Sequence, residues 1–359
     1  MARNILEVCL SPDLGGLELF MVHSLEYFKK KTTAKAVVAP GTKLDEYIKD
    51  EKFYIKRNKF FPLLPAKKLA NIIDENEIDL VHFHWTKDMP TVVLAKVLSR
   101  RKPKIMQTRN MHMTRFKDDL YHKFLYSKID VMHAVTNEVK EELQRYIPKE
   151  IRPKIEMVYM GVKEPNVDQK RVAELRQEYD IGNDFVVGIV GRIQENKGQW
   201  ILIEALSKMK DKNIKALIVG HTMDEEYLQS LKKRVKELGI EEKVIFTGFT
   251  KEVNEHFQLC DASVLATRNE TFGLVVVEAM MNEVVVIATN KGGPREIIDE
   301  GVDGLFFDRS VEDLSAKILY LYEHKEQAEE MGKEAKQKAL EKFEYSTQME
   351  KLYKVSDAI

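Results

Sequence analysis

Short apolar runs alternate with segments of helical period along almost the whole chain, in two successive series. Strands are expected at residues 4–10, 34–39, 80–85, 104–108, 131–135 and 155–158, and again at 185–192, 216–219, 244–247, 262–266 and 284–289. Helices are expected at 17–28, 119–129, 138–145, 169–179, 200–209, 224–238, 252–259, 274–281 and 294–299. Two amphipathic helices fill 311–342, and a last one covers 345–355. Strands alternating with helices of about 10–15 residues build a parallel sheet flanked by helices. A chain of 359 residues is long for one such unit and natural for two. The polar stretch 164–184 separates the two series. The expected division is 1–163 and 164–342, with 343–359 as the final helix.

The densest chemistry lies in the strand–loop–helix stretch 262–280. After the apolar run come Arg268-Asn-Glu-Thr-Phe-Gly-Leu-Val-Val-Val-Glu-Ala-Met280. Gly273 marks a bend, and the sequence turns helical from Leu274. Ligands of open α/β sheets bind at the carboxyl ends of strands. The N–H groups of Phe272, Gly273 and Leu274 would emerge at a helix start, where the dipole favours an anion. Glu270 lies before that start, near Thr271, and Glu278 lies inside the helix. An anion site beside two carboxylates suits a ligand with both phosphates and hydroxyls, such as a nucleotide-sugar.

Three other loops have matching features. Arg192 and Lys197 put two cations on the loop after an apolar, glycine-containing strand, as a leaving diphosphate requires. Asn290-Lys-Gly-Gly-Pro-Arg-Glu296 is a glycine loop opening a helix, with Gly292 and Gly293 as binding candidates and Pro294 suited to a first turn. Gly15 and Gly16 follow the first strand and permit close backbone approach to a ligand. They lack the third glycine of the dinucleotide fingerprint.

These motifs resemble those of family 4 of the glycosyltransferases, retaining enzymes with the GT-B fold. The stretch from Glu270 to Glu278 resembles that family's E-x7-E motif, and Arg192 with Lys197 resembles its phosphate-binding pair. Gly15-Gly-x-Glu18 and Gly292-Gly-x-x-Glu296 resemble two further family loops. The resemblance spans the chain and is most specific at 188–198 and 268–280. It implies two Rossmann-like doubly wound domains facing across a cleft, with the last helix crossing back to the first domain. It also implies that Glu270 meets the donor sugar's hydroxyls and Glu278 the ribose. Catalytic candidates are therefore Arg192, Lys197, Glu270 and His112. Donor-binding candidates are Gly15, Gly16, Arg192, Lys197, Glu270, Thr271, Phe272, Gly273, Leu274, Glu278, Gly292 and Gly293.

The acceptor side departs from the pattern. Many family members carry Thr-x-His after a first-domain strand, whereas Thr108-Arg-Asn110 puts asparagine there. His112 follows two residues later, and His84 ends another strand, so which of the three faces the sugar stays open. The asparagine of the family's Asn-Gly-Val element is Met160 here. No Asp-x-Asp occurs, so no metal and no other cofactor is expected.

Composition excludes several classes. No run of eighteen apolar residues occurs, so no transmembrane helix is expected. The opening residues enter a strand at once, without a signal-peptide core. Cys9 and Cys260 read as buried thiols of a cytoplasmic protein. Residues 1–160 hold 29 Lys and Arg against 21 Asp and Glu, a balance of +8, and the remainder balances at −9. The basic half suits an anionic partner. Lys52, Lys56, Arg57, Lys59, Lys67, Lys68, Arg100, Arg101 and Lys102 crowd two segments, and Phe60, Phe61, Leu63 and Leu64 accompany one of them. That arrangement is either a loop packed on its domain or a contact for the inner face of an anionic membrane. The expected partners are a nucleotide-sugar and a glycan or lipid-linked acceptor, with a place in envelope polysaccharide or lipopolysaccharide synthesis, and no nucleic acid. Rival readings are a nucleotide-sugar epimerase of similar fold and a non-catalytic nucleotide- or glycan-binding module.

Overall fold

The structure is a computed structural model that describes residues 3–58, 61–222 and 224–359. The chain divides into two compact units, Met1–Gly161 joined by Tyr345–Ile359, and Val162–Glu344.

The first unit is built on seven strands. They are β1 (Ile5–Cys9), β2 (Ala34–Val38), β3 (Lys52–Tyr54), β4 (Leu80–Phe83), β5 (Lys104–Arg109), β6 (Val131–Ala134) and β7 (Lys154–Met157). Their order is β3-β2-β1-β4-β5-β6-β7, every pairing parallel. Each pairing therefore needs a crossover, and helices supply it on the sheet faces. Ile5, Leu6, Val8, Val37, Phe83, Met106 and Met132 form the buried core. Thr136 caps the helix Asn137–Tyr146 by accepting the Val139 N–H, as Ser and Thr do at such positions. The closing helix, Tyr345–Asp357, returns to this unit: the Tyr345 hydroxyl donates to the His23 carbonyl and Tyr27 donates to Glu350.

The second unit has six parallel strands. They are β8 (Phe185–Val190), β9 (Ile214–Val219), β10 (Val244–Gly248), β11 (Ala262–Leu265), β12 (Val285–Thr289) and β13 (Gly304–Phe307), in the order β10-β9-β8-β11-β12-β13. Strands buried on both faces read as continuous Val/Ile/Leu runs, and β8, β9 and β12 do. Their core joins Val187, Ile189, Ile203, Ile218, Val264 and Ile287.

Strand order reverses once in each sheet, between β1 and β4 and between β8 and β11. Those reversals are where an open α/β sheet leaves a crevice at its carboxyl edge.

The structure adds elements that the sequence pattern hides. β3 and β13 are short edge strands. Helices Lys43–Tyr47, Leu63–Glu75 and Met89–Leu98 also form. The expected loop over 50–65 is thus replaced by β3 and the start of the helix Leu63–Glu75. Pro65 reads as a breaker but sits in that helix's first turn, where its missing N–H has no partner to lose. Lys59 and Phe60 lie outside the described residues. Cys9 is buried as expected, whereas Cys260, in the loop between the helix Val253–Phe257 and β11, is half-buried.

Candidate active site

In the second unit, the loops after β8 and β11 flank the strand-order reversal. The turn Glu195–Lys197 follows β8 and leads through Gly198 into the helix Gln199–Ser207. Gly198 has φ +78°, and a Cβ there would stand 2.7 Å from the Ala266 carbonyl oxygen, so only glycine lets the two loops touch. The Arg268 N–H donates to the Asn196 carbonyl across the same contact. The loops thus meet through their backbones, and their side chains meet as well. Lys197 Nζ lies 2.9 Å from a carboxylate oxygen of Glu270, and both side chains are about one-quarter exposed. Arg192 is half-buried and has no carboxylate partner among the described residues. Its carbonyl accepts from the Gln199 side chain at 3.0 Å.

The loop Arg268–Gly273 is held from its other side by the glycine pair. Gly293 N–H donates to the Glu270 carbonyl at 2.8 Å. A Cβ on Gly292 would stand 2.1 Å from the Glu270 carbonyl oxygen, and one on Gly293 would stand 2.1 Å from that of Phe272. Side chains at either position would push the loop off its seat. Gly292 and Gly293 therefore pack directly beneath the carboxylate loop. Thr271 is half-buried, Phe272 is buried, and Gly273 caps the helix Leu274–Met281. First-turn amides of a helix have no intrahelical acceptor. Glu278 lies one turn into that helix, half-buried, and its carboxyl makes no hydrogen bond among the described residues. Burial with no countercharge pushes it up to about 7. Arg192, Lys197, Glu270, Phe272, Gly292 and Gly293 are thus brought to one edge, with Glu278 on the adjoining helix.

The remaining candidates belong to the first unit. Gly15 precedes the helix Gly16–Lys29, and its N–H donates to Glu18 at 2.9 Å. Gly16 is exposed. His112 is held on both sides: its Nδ1 lies 2.9 Å from Glu142, and its carbonyl accepts from Arg109 at 2.7 Å. The other Glu142 oxygen accepts the Met113 N–H. With Nδ1–H directed at a carboxylate, His112 Nε2 is the acceptor nitrogen, and it is buried without a partner. Glu142 was not legible in the sequence, since thirty residues separate it from His112. Asn110 is half-buried with its amide nitrogen unpartnered.

His84 is corrected from a strand-edge group to a core group. It is fully buried, with Nε2 2.5 Å from Glu7, and the second Glu7 oxygen lies 2.9 Å from His82. His82 continues to Thr108, and Thr108 to His133, so a polar row crosses β1, β4, β5 and β6. Burial pushes Glu7 up, but the two imidazoles outweigh it and hold the carboxyl at about 2. Burial lowers His84 to about 4.

Residues 171–338 match the model of glycosyl transferases group 1, and residues 14–164 match that of glycosyltransferase family 4. The chain belongs to the family 4 glycosyltransferases. EpsD of Bacillus subtilis, named as a glycosyltransferase, is 28% identical over 95% of this chain and 93% of its own. A trehalose synthase of Thermococcus litoralis is 27% identical over 79% of this chain and 71% of its own. The structure of HepE from Anabaena in complex with UDP and glucose superposes with a TM-score of 0.87 at 21% identity, covering 99% of this chain and all of that one. A Rickettsia africae glycosyltransferase gives 0.88 at 24% identity, over 99% and 97%. The fold of this family 4 enzyme is therefore GT-B.

Proposed function

We propose that this glycosyltransferase moves a hexose-type sugar from a UDP- or GDP-linked donor to a hydroxyl of a glycan or lipid-linked glycan, with retention at the anomeric carbon. The observation that carries this reading is the Lys197–Glu270 contact at the strand-order reversal of the second unit. It sets a cation for a diphosphate beside a carboxylate for sugar hydroxyls. Arg192, Lys197 and the amides of Phe272, Gly273 and Leu274 take the phosphates. Glu270 and Thr271 take the sugar, Glu278 accepts from the ribose hydroxyls, and Gly292 and Gly293 seat the loop. Gly15 and Gly16 give the first unit's backbone access to the ligands.

In the reaction the bond from the anomeric carbon to the diphosphate oxygen breaks as the acceptor oxygen bonds to the same face. The transition state is oxocarbenium-like. The departing phosphate takes the acceptor proton, so charge and atoms balance. His112 presents Nε2 to a sugar hydroxyl. Two side-chain cations and a helix start neutralise the leaving group, and no divalent ion enters this reading.

The acceptor belongs to envelope polysaccharide or lipopolysaccharide synthesis in this proposal, reached by peripheral contact with the inner membrane face. Exposed apolar side chains support that contact. Phe61, Leu63 and Leu64 stand beside Lys67 and Lys68, and Phe116, Leu120 and Tyr121 stand beside Arg115 and Lys117. No helix of the described residues is long and apolar enough to cross a membrane.

Incubation with a panel of radiolabelled nucleotide-sugars, with and without membrane extract, tests the reading. Label should pass from one donor to an extract component. Interconversion of the donor sugar without an acceptor would indicate an epimerase, and binding without turnover a non-catalytic module.

A further inference from the structure

Some basic side chains of the first unit have carboxylate partners. Lys29 pairs with Asp50 at 2.8 Å, Lys96 with Asp130 at 2.6 Å and Arg101 with Asp79 at 2.6 Å. One group does not. At the carboxyl end of β4, Trp85 carries the Arg57 guanidinium 5.0 Å and the Lys87 ammonium 4.9 Å from its ring centroid. Arg57 Nε also donates to the Lys87 carbonyl at 3.3 Å, which ties the two cations to one turn. The next residue, Thr86, accepts from the guanidinium of Arg109 at 2.8 Å. Arg109 is 7% exposed, and its other two donors go to the carbonyls of Met111 and His112. Among the described residues, no carboxylate lies within ion-pair distance of Arg57, Lys87 or Arg109.

Three cations are thus fixed around one turn by a ring, a hydroxyl and carbonyls. A cation over a ring is held there without having its charge compensated. The neighbouring carboxyl is Asp88. It is fully buried, and one oxygen accepts the Leu10 N–H at 2.8 Å. Burial pushes it up to about 7, against pulls from that N–H and from Arg57, so it is only half ionised near neutrality. The turn follows β4 where the strand order of the first sheet reverses, beside the Gly15–Gly16 loop that follows β1. His112, carried on the β5 loop, shares Arg109 with it.

We infer that Arg57, Trp85, Lys87 and Arg109 form an anion subsite that recognises a phosphate group carried by the acceptor. This rests on the proposed glycosyl transfer and names the acceptor's chemical class: a phosphorylated glycan. A neutral sugar gives such a cluster nothing to compensate its charge. Arg57 and Lys87 bind the phosphate, and Arg109, which is buried, fixes the turn that presents them.

The chain has two tryptophans, Trp85 and Trp200. In the Trp200→Phe protein the indole emission reports on Trp85 alone. Titrations use glucose 6-phosphate, inorganic pyrophosphate, glucose and phosphatidylglycerol vesicles, with UDP binding measured in parallel by calorimetry. A saturable emission change with the two phosphate probes and none with glucose is expected. Adding Arg57→Gln or Lys87→Gln should each weaken it about tenfold, with UDP binding and melting temperature unchanged. Equal responses to glucose and glucose 6-phosphate, or responses that survive both substitutions, would overturn the inference. A response to vesicles alone would also overturn it, in favour of a lipid surface. Failure of the unsubstituted protein to bind UDP would count against the donor assignment and not against this subsite.

Discussion

Lys197 and Glu270, seventy-three residues apart, join the β8 and β11 loops through a 2.9 Å contact between ammonium and carboxylate. Both side chains retain access to solvent, and solvent-accessible ion pairs contribute only about 0.2–1 kcal/mol to stability. The pair is therefore weakly justified as a structural device. Lys197→Ala should leave the melting temperature within a few degrees of wild type while transfer falls on the order of a hundredfold, as for loss of one preorganised donor. A variant that keeps more than half its activity would contradict the role given to Lys197.

Glu270 and Glu278 have different surroundings, and their substitutions should separate. Glu270→Ala should spare binding of the free nucleoside diphosphate and impair transfer. Glu278→Ala should weaken nucleotide binding itself. The raised Glu278 carboxyl adds a pH signature. Its folded value of about 7 lies above the ordinary carboxylate range, so the folded state binds an extra proton between that range and about pH 7. Stability falls as pH rises through this window. Glu278→Gln should accordingly melt higher than wild type at pH 8 and equally at pH 4. Identical effects of both alanine substitutions on nucleotide binding would refute the division of roles.

Membrane contact should follow ionic strength. With Phe61 and Leu64 about three-quarters exposed near Lys67 and Lys68, the enzyme should float with anionic liposomes at low salt and dissociate at high salt. Absence of flotation at low salt, together with efficient transfer to a small neutral soluble acceptor, would rule the contact out.

The second unit was largely legible in the sequence. Its strands β8, β9 and β12 are continuous Val/Ile/Leu runs buried on both faces, and its glycines mark places where backbones touch, as at Gly198 and Gly292. The first unit was less so. β3 is three residues long, and Pro65 conceals a helix start. The row from Glu7 through His82 and Thr108 to His133 was invisible because cross-strand register, not spacing along the chain, brings those residues together. Glu142 beside His112 and Arg57 beside Trp85 were hidden for a related reason, since the packing of a helix and loops joins residues far apart in sequence. Loops that carry their own signal, such as Arg268–Gly273, could be read directly. Pairings across the sheet could not.

In the proposed reaction, side-chain cations and a helix start, rather than a divalent ion, neutralise the departing diphosphate. Initial rates of transfer with the preferred nucleotide-sugar, measured in excess chelator and again with added magnesium or manganese, test it most directly. The account predicts rates within about twofold of each other in wild type. Complete loss of transfer in chelator, restored by either metal, would contradict it.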